Sequence, residues 1–180
     1  MQLFSLKIFT TLIRVGLLCS SLSLTHAYAD ALPEYSVKAA FLYNFATFAE
    51  WPEKPIETFN LCILGKDLFV NSLDVIDGKM VGDAKLVTRH LVGTGGILRG
   101  CQMLYIASSE SDSLPEILDL VRTSSILTVT ELPGAAMRGV MIELKTDEKN
   151  KITFEINLSI LRQSRLDLSS KLLRLAQKVY

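Results

Sequence analysis

The chain has 180 residues, 49% of them hydrophobic, and its 19 basic residues balance 19 acidic ones. That balance excludes the strong positive field of a nucleic-acid binder, and no block of like charge points to an anionic membrane surface. The length suits one domain with a real core.

The first 29 residues hold no Asp or Glu. Lys7 and Arg14 precede an apolar run from Val15 to Leu24, and Ala27-Tyr28-Ala29 comes next as a small-x-small site. This pattern predicts a secretory signal peptide cut between Ala29 and Asp30. The apolar run is shorter than the ~20 residues that a membrane span needs. Leu18 stands where a lipidated Cys19 would need a small residue. The expected mature protein is one domain over 30–180, without stable membrane insertion. Seventeen basic residues then face nineteen acidic ones.

After Pro33, the apolar residues Val37, Phe41, Phe45 and Phe48 recur at helical steps, and Trp51-Pro52 closes the segment. Phe59–Leu64 is a short apolar run ended by Gly65, which reads as a buried strand. Asp67 is placed to cap a helix through Val75, carrying Leu68 and Leu73, with Asp77-Gly78 as its stop. Lys85–Val92 alternates weakly and is rich in β-branched residues. Cys101–Ala107 and Ile126–Thr130 are further buried strands. Between them Ser113-Leu114-Pro115-Glu116 opens a helix to about Arg122, with proline in the first turn.

Val140–Lys145 and Lys151–Asn157 both alternate with period two around the polar stretch Thr146–Asn150, the pattern of a β-hairpin. Ile142, Leu144, Ile152, Phe154 and Ile156 then share one side, while Glu143, Thr153, Glu155 and Asn157 point the other way. Ser169-Ser170 leads into Leu172, Leu173, Leu175, Ala176 and Val179, expected as an amphipathic terminal helix. Together these elements predict an α/β sandwich. It has a mixed sheet of about six strands flanked by helices, a C-terminal hairpin and a terminal helix.

Residues that could do chemistry are few. Beyond the leader the chain has one histidine, His90, in a strand-like setting with no second ligand at metal spacing. Gly93-Thr94-Gly95-Gly96 lies too close to the Cys101 strand to open the helix of a phosphate-binding motif. No Gly-x-Ser-x-Gly elbow is present. No catalytic, cofactor or metal residue is assigned, and the expectation is a non-enzymatic exported domain. Cys62 and Cys101 fit a disulfide in an oxidising compartment. The other reading is two buried thiols, and export favours the bridge.

Val37-Lys38-Ala39-Ala40-Phe41-Leu42-Tyr43-Asn44-Phe45, with Trp51-Pro52 after it, resembles the opening helix of the YfiR family of periplasmic proteins. Leu61-Cys62-Ile63-Leu64-Gly65 and Gly100-Cys101-Gln102 are similar to its cysteine strands. Ile152–Leu158 and Leu168–Ala176 are similar to its ending. The resemblance implies a periplasmic regulator that inhibits an inner-membrane diguanylate cyclase by binding its periplasmic region. It also implies control by an outer-membrane lipoprotein, effects on cyclic di-GMP and biofilm, and no cofactor; a homodimer is compatible with it. The expected contact region is the hairpin's outward face and the segment after the hairpin: Glu155, Asn157, Ile160 and Leu161. The alternative from another class is a periplasmic small-ligand binder serving a transporter or receptor.

Overall fold

The computed structural model describes residues 31–52 and 57–180. The leader and its cut at Ala29 and Asp30 lie outside the described residues. Helix α1 spans Ala31–Phe48. Strand β1 (Ala49–Glu50) comes next, then β2 (Thr58–Leu64), β3 (Met80–Val81) and β4 (Ala84–Leu91). After these come β5 (Met103–Ile106), helix α2 (Leu114–Val121) and β6 (Leu127–Thr130). The chain ends with β7 (Ile142–Thr146), β8 (Ile152–Ile156), α3 (Leu158–Gln163), β9 (Asp167–Leu168), α4 (Ser170–Leu173) and β10 (Lys178–Val179).

Eight strands form one mixed sheet in the order β10-β8-β7-β6-β5-β2-β4-β3. Its centre is parallel: β4, β2, β5, β6 and β7 all run the same way. The hairpin partner β8 is antiparallel to β7, with Glu143 opposite Glu155. The class is the α/β fold read from the sequence, and its six longer strands are the six apolar or alternating runs. The two extra strands, β3 and β10, are two-residue pieces at the sheet edges, too short to leave a pattern in the sequence. A separate ribbon pairs β1 with β9.

Glu34–Tyr180 form one compact unit with a core on each face of the sheet. Along β2, Phe59, Leu61 and Ile63 face the α1 side while Cys62 and Leu64 face the α2 side. Strand β5 repeats this: Met103 and Tyr105 on one side, Leu104 and Ile106 on the other. A strand covered on both faces reads as a continuous apolar run, which is why FNLCIL and MLYI stand out.

Three elements differ from the sequence reading. The buried stripe of α1 is Lys38, Ala39, Leu42, Phe45 and Ala46, whereas Val37 is nearly half exposed. The stripe is turned because Lys38 finds a carboxylate partner inside. No helix runs from Asp67 to Val75; only a 3-10 turn over Val70–Leu73 forms. Asp67 Oδ1 accepts the Phe69 amide at 2.8 Å, making a tight local turn. The Phe69 ring is clamped between Tyr35 and Tyr105, at 5.2 and 4.9 Å. Finally, the terminal helix stops at Leu173. The open edge of β8 captures the tail instead: Gln177 N donates to Phe154 O and Tyr180 N to Ile156 O, both at 2.8 Å. Satisfying those edge carbonyls outweighs two more turns of an isolated helix.

Candidate functional site

The sequence-derived contact residues gather where the hairpin meets α3. Asn157 is the N-cap of α3: its Oδ1 accepts the Ile160 amide at 3.1 Å, and its Nδ2 donates to Ala136 O at 2.8 Å. That pair ties α3 to the turn between β6 and β7. Leu161 is fully buried, so it anchors the helix and has no face for a partner. Ile160, one residue earlier, is half-buried and lines an open groove of about 330 Å³.

The groove runs between α2 and α3. Leu118, Val121, Met141 and Ile160 give it apolar walls, and Arg122 and Arg138 belong to its lining. Arg122 is engaged by Asp119 at 3.4 Å. Arg138 has no acidic partner among the described residues. A groove of this make-up suits an apolar side chain presented beside an acidic one.

Glu155 and Glu143 are far less exposed than an outward strand face implies, at 8% and 1%. Glu143 is a cap: its two carboxylate oxygens accept the amides of Gly134 and Ala136 at 2.9 and 3.0 Å. Those bonds shape the β6–β7 turn that forms one side of the groove. Glu155 pairs with Lys145 at 2.8 Å and accepts the Tyr180 hydroxyl at 2.8 Å. The hydrogen bond from Lys145 holds the Glu155 carboxyl below the usual range, against the opposing effect of burial. The same bond raises the Lys145 ammonium above its ordinary value. Glu155 therefore secures the tail to the hairpin.

A second polar cluster lies under α1, at the carboxyl ends of β5 and β6. Lys38 is almost fully buried, and its Nζ sits 2.6 Å from Glu34 and 2.5 Å from Glu131. The Tyr35 hydroxyl donates to Glu131 at 3.2 Å. Burial pushes the Glu34 carboxyl up, but hydrogen bonds from Lys38 and Thr146 outweigh it, and the net shift is downward. Burial, reinforced by the charge of Glu131, raises the Tyr35 and Tyr105 phenols, so both stay neutral. Glu131 was missed in the sequence because it lies 93 positions from Lys38. Its one local signal is a lone acid directly after a buried strand.

Cys62 and Cys101 form a disulfide with a Cα–Cα separation of 5.8 Å, closing a 39-residue loop. It joins β2 to the chain entering β5 and packs into the core on the α2 side. His90 is exposed and lies 3.7 Å from Asp67. Residues 94–99 form a 3-10 turn, not the longer helix of a phosphate-binding motif. Among the described residues no helix is long and apolar enough to cross a membrane.

These features define a disulfide-bonded α/β domain with a parallel sheet centre and a C-terminal hairpin. The YfiR/HmsC-like family model matches residues 35–177, and the chain belongs to that family. No curated protein matches it. Among solved structures, it is similar to a conserved domain protein from Vibrio cholerae O1 biovar El Tor strain N16961, with 9% identity and a TM-score of 0.52. The match covers 81% of this chain and 60% of that one, and it shows the fold alone.

Proposed function

We propose that this protein is an exported, non-enzymatic regulator. In this reading it acts in the periplasm after cleavage between Ala29 and Asp30. There it holds an inner-membrane diguanylate cyclase in its inactive state by binding the cyclase's periplasmic region. An outer-membrane lipoprotein that competes for the regulator would relieve the block. The observation that carries the reading is the family match over 35–177. The Cys62–Cys101 bridge supports an oxidising compartment.

The contact surface in this proposal is the groove between α2 and α3, with Ile160 as its central apolar group. Glu155, Asn157 and Leu161 act by holding the hairpin, the helix cap and the tail that frame it. A regulator of this kind needs only a preference of a few kcal/mol for one receptor state, which a modest interface supplies.

Deleting the gene should raise cyclic di-GMP and surface attachment, and re-expressing the full chain should reverse both. A chain lacking residues 1–29 should fail to reverse them, because it would be held on the wrong side of the membrane. Unchanged cyclic di-GMP on deletion would contradict the proposal.

A further inference from the structure

A crevice at the carboxyl ends of β2 and β4 plays no part in the regulatory reading. The chain runs from β2 out to β4, then returns past β2 to β5. Strand order reverses between β2 and β5, whose following loops bring Gly65 and Glu110 to the crevice, and in open parallel sheets such a reversal leaves a ligand crevice beyond the strand ends. This one has a volume of about 510 Å³. That lies within the range of small-molecule sites.

Its lining divides in two. Leu64, Leu91, Ile117 and Leu120 supply apolar walls, and Glu110 and Glu116 supply carboxylates. Neither acid has a basic partner among the described residues. Glu116 lies in the first turn of α2. Glu110 is held in place from below. Gly65, at φ +92°, leaves no room for a Cβ, which would sit 2.5 Å from Ser109 Oγ and 2.8 Å from the Glu110 side chain. The Lys66 amide donates to Ser109 Oγ at 2.8 Å, pinning the two loops together.

We propose that this crevice binds a small organic ammonium ion with an aliphatic body. The ammonium pairs with Glu110 and Glu116, and the body lies against Leu64, Leu91, Ile117 and Leu120. A carboxylate ligand would meet two like charges, and a neutral one would gain no ion pair.

Three probes with one body and three headgroups test this: hexylamine, hexanol and hexanoate, titrated into the disulfide-bonded protein and tracked by backbone amide shifts. Hexylamine should give saturable shifts at Gly65, Thr94 and Ile117. Hexanol should bind about tenfold more weakly, the scale of one lost charge-assisted pair, and hexanoate should not bind. Glu110→Gln and Glu116→Gln should each weaken hexylamine. Leu120→Lys, at a partly exposed wall position, should block it by supplying an ammonium of its own. Equal binding of hexanol, tighter binding of hexanoate, shifts elsewhere or no shifts with hexylamine would overturn the proposal.

Discussion

The two faces of the sheet are held by different means. On the α1 side, rings of Phe41, Phe45 and Phe154 meet edge to face or tilted at 5.1 to 5.9 Å, and the buried Lys38 is matched by two carboxylates. On the α2 side the core among the described residues is smaller, the eight-residue α2 and short 3-10 turns cover it, and the disulfide cross-links it. The groove beside Ile160 and the crevice above Leu64 border that lighter side, and two recesses of about 320 and 300 Å³ lie beside α1, at Lys38 and at Trp51. A face held covalently can keep recesses open and still be stable.

This contrast can be broken from either side. The largest effect should come from Phe45→Ala, which empties the aromatic cluster and should cost about 4–5 kcal/mol in urea unfolding. Reduction, or Cys62→Ser with Cys101→Ser, should cost on the order of 3–4 kcal/mol, from the entropy of a 39-residue loop. In the reduced protein, hydrogen exchange should rise around α2 more than around α1. Equal rises on both faces would remove the distinction drawn between them.

Lys38→Met should cost about 2–3 kcal/mol, because Glu34 and Glu131 are left close together without their cation. Adding Glu131→Gln to that variant should recover part of the loss in the same unfolding assay.

The smallest effect is in acid. Glu34 and Glu155 have folded-state carboxyls shifted down, so the stability they contribute is complete above the ordinary carboxylate pKa of about 4.3. It should be lost as pH falls from there through their lowered values. Glu155→Gln should flatten this acid limb of melting temperature against pH, and leave the shape of the curve between about pH 6 and 8 as in the wild type.

The sheet was legible because each central strand is buried on both faces and so reads as an apolar run. The hairpin was legible from its alternation. The rotation of α1 was not, because burial of Lys38 depends on Glu131, which arrives from the far end of β6. The tail strand was not legible either: Leu172, Leu173 and Leu175 carry helical spacing, and only the unpaired edge of β8 decides against it. At the groove, the sequence did not show which of the proposed contact residues face outward and which are buried. Ile160 and Leu161 look alike in the sequence, and the Asn157 cap turns one outward and the other in. The family motifs located the fold without indicating where the recesses lie.

In the proposed function, the groove beside Ile160 is the surface through which this protein binds the periplasmic region of a membrane cyclase. The direct measurement is the affinity of the purified, oxidised protein for that purified region, comparing wild type with Ile160→Asp. The half-buried position should tolerate the change, with an unaltered amide spectrum and a melting point within a few degrees. The account predicts saturable binding by the wild type and a loss of about tenfold or more in the variant, as for a central apolar anchor. No binding by the wild type, or equal binding by a folded Ile160→Asp protein, would contradict it.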